Sequence, residues 1–234
     1  MARKATEEHT RPQVLILYYS FSGQTAGLLN NLCNGLKGQG LEVTLEKLHP
    51  VNPPRFPVGS IIATFKMMLL TALRQRLKIR EPDIPIGAAY DLIILAGPTW
   101  SYNPSGPVLD LLDRFGAKLF GGRRVIPLIS CRGYWRMHWL GLRRMLRRCG
   151  AEVPNRMIFD HPTPEPWRTI GVFLKIAGRA PERSRLLGAR YRRYGHSREQ
   201  LAEAERLGKI LGRALIDSTP LAELDLSPRI FPTE

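Results

Sequence analysis

A continuous apolar run, VLILYY at residues 14–19, is followed at once by a polar loop and then by a helix with one apolar face. Apolar residues without alternation are typical of a strand buried on both faces, as the strands of parallel sheets are. The apolar helix face consists of Ala26, Leu29, Leu32, Cys33 and Leu36. The pattern predicts a β-strand, a tight loop and a helix that covers one face of the sheet.

The same alternation of strand and helix continues along the chain. Apolar runs predict further strands at 41–48, 92–96, 125–129 and 157–159, and the one at 41–48 alternates with polar residues as an edge strand does. Helices are predicted at 61–77, after Pro107, at 138–149 and, behind the capping box Ser197-x-x-Gln200, to about residue 216. This alternation predicts an α/β fold with a parallel sheet and helices on both of its faces.

The composition is that of a globular protein in a reducing compartment. Of the 234 residues 44% are hydrophobic, so the chain can bury a core. Its cysteines, Cys33, Cys131 and Cys149, share no metal-ligand spacing, which argues against a disulfide framework and a zinc site. No secretory pattern opens the sequence, and the longest nearly apolar stretch, 58–73, is 16 residues long, short of the ~20 of a spanning helix. We therefore expect a cytoplasmic protein.

The sequence divides into three parts. Residues 1–12 are charged and polar and are expected to form a disordered lead-in, 13–217 to form one α/β domain, and 218–234 to form a carboxyl-terminal tail. A basic insertion at about 161–196 separates the fifth strand from the last helix, and it opens with three prolines.

Three loops follow predicted strands, at 20–25, 97–107 and 130–135. In a parallel sheet the carboxyl ends of the strands lie at one edge, where ligands bind. The three loops are therefore the candidate ligand site.

The first loop places the hydroxyls of Ser20, Ser22 and Thr25 at the amino terminus of a helix, and Gly23 allows close approach. Hydroxyl and amide donors at such a terminus favour a bound phosphate. The loop lacks the lysine of a GxxxxGK[ST] nucleotide loop, so magnesium-dependent triphosphate chemistry has no support. The alternative is a Ser/Gly turn that only caps the helix.

The second loop contains Gly97-Pro98-Thr99-Trp100. An exposed aromatic ring on a stiff turn beside a phosphate site is placed to stack on a flat heterocycle. The alternative is that Trp100 plugs the core.

Three motifs in this order, YYSFSGQT, LIILAGPTWSYNPSGPV and VIPLISCRGYW, make residues 13–160 resemble the flavodoxin-like family of FMN-binding proteins, which includes flavodoxins and NAD(P)H-dependent FMN oxidoreductases. The resemblance implies a three-layer sandwich with a five-stranded parallel sheet of order 2-1-3-4-5. Residues 49–57 and the basic carboxyl region are also similar to flavodoxin-like proteins found beside dialkylresorcinol-type biosynthetic enzymes, a similarity from which no condensing reaction follows.

The resemblance also implies the residues of a cofactor site. The FMN phosphate is expected at the first loop, formed by Ser20, Phe21, Ser22, Gly23, Gln24 and Thr25. The isoalloxazine ring is expected between the second loop, Pro98, Thr99, Trp100, Ser101, Tyr102 and Asn103, and the third loop, Ser130, Cys131, Arg132, Gly133 and Tyr134. The flavin carries the chemistry in such proteins, so no catalytic side chain and no metal is expected.

The implied function is electron or hydride transfer through FMN, from NAD(P)H to a quinone-like or other organic acceptor. Donor and acceptor are expected to be small molecules or proteins, and homo-oligomers are expected because many flavodoxin-like reductases are dimers or tetramers. Two alternatives stay open. One is a one-electron carrier that does not react with NAD(P)H, and the other is a flavin-free interaction module whose third loop is blocked by Arg132, Tyr134 and Trp135.

Two residues of the third loop support specific hypotheses. Arg132 is expected near the pyrimidine edge of the flavin, where its charge would stabilise the anionic reduced form and raise the potential. The alternative is a solvated surface arginine. Cys131 is expected to be a small filler because it has no partner cysteine nearby, and His138 and His161 are expected to be structural.

The formal net charge of +15 departs from the generally acidic flavodoxins. Residues 121–150 contain eight arginines and no acid, and 161–196 contain eight Lys/Arg against two glutamates, so an anionic partner is expected there. The arginines lack a recognition motif for nucleic acid, so no specific nucleic-acid binding is expected.

The apolar segment 61–77 has two interpretations. It is interpreted first as the second crossover helix. Alternatively, it forms with 167–176 an apolar wall over the flavin or a face for peripheral contact with an anionic membrane.

Overall fold

The computed structural model describes residues 11–84, 89–191 and 193–229. The expected lead-in at 1–12 falls almost entirely outside the described residues, and the expected tail at 218–234 does so in part.

Within these ranges six strands form the sheet: β1 (Gln13–Tyr18), β2 (Glu42–Lys47), β3 (Leu92–Trp100), β4 (Asn103–Pro104), β5 (Val125–Cys131) and β6 (Met157–Asp160). All pairs are parallel except that of β3 with the two-residue β4. The parallel strands have the order β2-β1-β3-β5-β6, which confirms the predicted order 2-1-3-4-5. The largely exposed β2 lies at an edge, as its alternating sequence predicts.

The described residues form six α-helices: α1 (Gln24–Lys37), α2 (Ile61–Ala72), α3 (Gly106–Phe120), α4 (Trp135–Arg148), α5 (Trp167–Ile176) and α6 (Arg198–Ile216). Helices α1 and α6 share one core cluster with Val14 and Ile16 of β1. Helices α3 and α4 share another with Leu15 and Leu17. Successive residues of β1 therefore point into opposite cores, as a doubly covered strand requires.

Helix α2 ends at Ala72, five residues before the predicted end. The Ser101 hydroxyl donates to the carbonyl of Met68 at 2.9 Å, and the Asn103 amide donates to those of Thr71 and Ala72 at 3.2 and 3.3 Å. Arg74 then adopts a left-handed conformation with φ 59°. The helix stops where side chains from the second loop satisfy its last carbonyl groups.

Strand β3 runs four residues beyond the predicted end at Ala96. Pro98, Thr99 and Trp100 therefore lie in a strand rather than in a loop, and the chain reverses at Ser101 and Tyr102, whose φ angles are 42° and 69°. Two successive positive φ angles are typical of a tight hairpin turn.

The third loop is shorter than predicted. Ser130 and Cys131 belong to β5, and α4 begins at Trp135 instead of residue 138, which leaves 132–134 as the loop. The basic insertion contains α5, a helix that the sequence pattern does not predict because prolines and cations surround its apolar positions. Among the described residues, no helix is both long and apolar enough to cross a membrane.

Candidate functional site

The three predicted loops meet at the carboxyl edge of the sheet, where they line two adjoining cavities. The first cavity, beside α1, is lined by Phe21, Ser22, Gln24, Thr25, Pro98, Thr99, Trp100, Ser130, Cys131 and Arg132. The second cavity, beside α2, shares Thr99, Trp100 and Arg132 and adds Ser101, Tyr102 and Tyr134. Ser20, Gly23, Asn103 and Gly133 adjoin these residues in sequence but line neither cavity.

The first loop presents donors to the first cavity. Gly23 precedes α1 in a left-handed conformation, and the hydroxyl of Ser20 accepts a hydrogen bond from the amide of Ala26 at 3.3 Å. In the described part of the chain, the amides of Gly23, Gln24 and Thr25 donate to no protein acceptor. Free amides at the amino terminus of a 14-residue helix favour an anion.

The prediction of an exposed ring at Trp100 is wrong. The side chain is only 8% exposed, and its ring makes edge contacts with Tyr19 and Phe21, with centroids 5.6 and 5.5 Å apart. Trp100 is therefore a core plug that also borders both cavities. The exposed aromatic residues at this edge are Tyr102 and Tyr134, whose ring centroids lie 5.5 Å apart.

The bulky residues of the third loop differ in their position relative to the cavities, since Arg132 and Tyr134 line them and Trp135 does not. Arg132 is half-buried and borders both cavities, with its guanidinium 5.8 Å from the Tyr134 ring. Trp135 lines neither cavity and packs against the guanidinium of Arg156 at 5.5 Å. Burial raises the pKa of Cys131 to about 12, so its thiol stays protonated at neutral pH, as expected of a filler.

The basic insertion covers the cleft. Val172 and Ile176 of α5 line both cavities, and Phe173 lines the second. The Phe173 ring lies 4.9 Å from that of Phe65 on α2, so α2 and α5 together form an apolar wall over the cleft. Helix α2 is at the same time the crossover from β2 to β3. The apolar segment is therefore the crossover helix of the first interpretation, and it also forms the apolar wall of the second.

A further segment, 194–196, lies directly on the first loop. The amide of His196 donates to the side-chain oxygen of Gln24 at 3.0 Å, and a Cβ at Gly195 would collide with the same side chain. Tyr194 stacks on Phe56, and its hydroxyl lies beside Ser22. No sequence signal pairs this segment with the first loop, and only the capping box that follows it suggests a fixed position.

His196 belongs to a buried hydrogen-bond network. The side-chain oxygen of Gln200 accepts from the amide of Ser197 at 2.9 Å and lies 3.2 Å from His196 Nδ1, so Nδ1 carries the proton. His196 Nε2 is then free to accept from the Ser130 hydroxyl at 2.8 Å. Burial lowers the pKa of His196 to about 4. The network thus holds a neutral imidazole and an oriented hydroxyl at the wall of the first cavity.

The other two buried histidines hold elements of the site together. His138 Nδ1 on α4 lies 2.7 Å from the hydroxyl of Thr99, and burial lowers its pKa to about 3. His161 stacks on Tyr191, accepts from the amide of Thr163 at 3.2 Å, and has a pKa lowered to about 4 by burial. His138 lines neither cavity, whereas His161 also lines the first one. Among the described residues, no three His, Cys, Asp or Glu side chains form a metal site.

The architecture is similar to that of solved flavoproteins. A flavoprotein in complex with FMN from Lactobacillus acidophilus NCFM has a TM-score of 0.50 and 20% sequence identity, over 63% of this chain and 93% of that protein. A flavodoxin from the domain Archaea has a TM-score of 0.49 and 13% identity, over 87% of this chain and 99% of that protein. No protein-family model and no curated protein sequence matches the chain. The first similarity and the strand order confirm the flavodoxin-like fold.

The buried histidines predict a loss of stability in mild acid. Their pKa values of about 3 to 4 in the folded protein lie below the 6.5 of the free side chain. Between about pH 4 and 6.5 the unfolded chain therefore binds more protons than the folded one, and the free energy of unfolding falls as the pH falls. Each histidine contributes up to about 1.4 kcal/mol per pH unit.

Urea denaturation between about pH 7 and 5 measures this slope. We expect His161→Gln to make the slope smaller, and His49→Gln, at an exposed histidine, serves as the control. A wild-type stability that is flat over this range contradicts the prediction.

Proposed function

We propose that the protein binds FMN non-covalently and transfers electrons or hydride, from NAD(P)H to a quinone-like or other organic acceptor. One observation carries the proposal: free amides and hydroxyls at the start of α1 share a cavity with the ends of β3 and β5. The similarity of the fold to a flavoprotein in complex with FMN supports it.

The residues of the cleft fit the chemistry of FMN. Ser22, Thr25 and the amides of Gln24 and Thr25 would hold the phosphate, since they offer hydrogen-bond donors in the field of a helix amino terminus. The ring system would lie against Trp100 and Arg132, beneath α5. FMN supplies the redox chemistry when bound, while the protein supplies binding, orientation and electrostatics.

The lining of the cleft carries a net positive charge. Arg132 is its one cation and no carboxylate lines either cavity among the described residues. The buried His196 is neutral at pH 7 because its pKa is about 4. A cation without a competing carboxylate favours an anionic ligand and a reduced flavin. Val172 and Ile176 add apolar side chains to both cavities, and apolar surroundings strengthen that effect.

A second candidate function is a flavin-free interaction module. The observation that favours it is the position of 194–196, where His196 and Gly195 contact Gln24 and Tyr194 lies beside Ser22. In this candidate the insertion takes the place of the phosphate on the first loop, and the fold serves as a scaffold.

Flavin binding separates the two candidates. We expect FMN bands in the visible spectrum after incubation with FMN and desalting. Ser22→Asp should weaken FMN binding about tenfold or more, because its carboxylate repels the phosphate, and should affect riboflavin less. Ser60→Asp is the matched control, since Ser60 caps α2 and aspartate is an equally good cap. A protein that stays colourless with FMN contradicts the proposal and favours the interaction module.

Reaction with NADPH tests the oxidoreductase activity. We expect rapid bleaching of the bound flavin when the flavin-loaded protein is mixed with NADPH in a stopped-flow spectrometer. The measurement is repeated with a protein-free FMN solution as the control. Retained flavin that NADPH does not reduce contradicts the enzyme and favours the one-electron carrier.

Replacement of Arg132 tests whether its positive charge raises the midpoint potential of the bound flavin. We expect Arg132→Ala to lower the two-electron midpoint potential of the bound flavin by about 30 mV, equivalent to about 1.4 kcal/mol, because a cation beside the reduced flavin is lost. Arg136→Ala removes an exposed arginine that lines neither cavity, so it should leave the potential unchanged. Equal potentials for Arg132→Ala and the wild type contradict the hypothesis.

A further inference from the structure

The outer face of α2 is a row of exposed apolar side chains. Ile62, Phe65, Leu69 and Leu73 follow each other at helical spacing and are 83%, 61%, 63% and 72% exposed. Residues three and four apart lie on one side of a helix, so the four form a continuous stripe. Contiguous exposed apolar surface of this kind marks an interaction site. We call these four residues the α2 stripe.

The α2 stripe is not the side of the helix that packs towards the protein interior. Met67, Met68 and Thr71, on the inner side of the same helix, line the second cavity. Helix α2 is thus apolar towards the cleft and apolar towards its outer surface. A helix that is apolar on several sides is normally surrounded by apolar material. On the outer side the described residues supply only the contact of Phe65 with Phe173 of α5.

The apolar surface continues onto α4. Arg74, just beyond α2, reaches across to α4, where its guanidinium lies 3.1 Å from the sulfur of Met145. On the outside of α4, Met137 and Leu140 are 66% and 58% exposed. The carboxyl end of α2 therefore lies against α4, and Arg74 also approaches Gly141, which follows Leu140.

This surface is strongly cationic. Helix α2 contains Lys66 and no acid, and α4 contains five arginines and no acid. Arg143, Arg144, Arg147 and Arg148 line a shallow cleft beside Leu140. None of these four arginines forms an ion pair within the described chain, and the buried Nε of Arg143 has no hydrogen-bond partner. Guanidinium groups without carboxylate partners are suited to phosphate.

We propose that the outer faces of α2 and α4 dock onto a bilayer that contains anionic phospholipid. The α2 stripe would enter the boundary between headgroups and acyl chains, and the α4 arginines would contact headgroup phosphates. A bilayer matches both features at once, since it offers phosphate and an apolar interior side by side. The 12 residues of α2 suit a helix that lies in the interface rather than one that spans it. The proposal does not depend on FMN.

Co-sedimentation of the full chain with vesicles tests the proposal. The vesicles are phosphatidylcholine alone, or phosphatidylcholine mixed with phosphatidylglycerol. The α2 variant combines Ile62→Gln with Leu69→Gln, and the α4 variant combines Arg144→Gln with Arg147→Gln. The control combines Lys37→Gln with Arg213→Gln, which removes the same charge from α1 and α6 on the opposite face of the sheet.

We expect the wild type and the control to sediment with the phosphatidylglycerol vesicles and far less with phosphatidylcholine alone. Both the α2 and the α4 variant should bind about tenfold more weakly or worse. Circular dichroism confirms that each variant is folded.

Three outcomes would overturn the proposal. Equal recovery with both kinds of vesicle, or none with either, rules out docking on anionic lipid. An α2 variant that binds like the wild type shows that only charge adsorbs the protein. A control that loses as much binding as the α4 variant shows that the net charge acts, rather than this surface.

Discussion

Both faces of one parallel sheet are buried, and this requirement sets the positions of the helices and of the candidate site. Val14 and Ile16 of β1 are buried under α1 and α6, and Leu15 and Leu17 are buried under α3 and α4. Parallel strands require crossover helices, and these helices bring the carboxyl ends of all the strands to one edge. The chain cannot satisfy this constraint without gathering the loops after β1, β3 and β5 into one place. The candidate site is therefore a consequence of how the core is covered, and the polar residues of the loops decide what it can bind.

The elements that sequence reasoning finds are those whose signal is local. The five parallel strands and their order follow from short apolar runs and from the resemblance carried by the three loop motifs. The errors occur where distant residues decide. Helix α2 ends early because Asn103, about 30 residues away, bonds its last carbonyl groups. Trp100 is buried because Tyr19 and Phe21 surround its ring. Local patterns contain no information about such partners.

The position of the basic insertion at about 161–196 is the part of the site that could not be predicted from the sequence. Prolines and cations hide the apolar positions of α5, and Gln24 and His196 are separated by 172 residues that hold no pairing signal. Yet this insertion changes the nature of the cleft. Through Val172 and Ile176 it adds apolar side chains to cavities that are otherwise lined largely by the three loops. Segment 194–196 bonds the side chain of Gln24 and lies beside Ser22, whereas the amides of residues 23–25 stay free within the described chain.

Helix α2 belongs both to the wall of the cleft and to the outer surface of the protein. Its inner residues Met67 and Met68 line the cavity, and Phe65 meets α5 at the rim. Its outer residues Ile62 and Leu69 have no cover in the described protein. An apolar helix exposed on one side loses part of the free energy that its burial would provide, at about 25 cal/mol per Å² of apolar surface. That cost is recovered only where the outer side meets another apolar phase. If an apolar phase lies against the outer side of α2, only one helix diameter, roughly 10 Å, separates that phase from the cleft. An acceptor dissolved in the phase would then have a short path to the site.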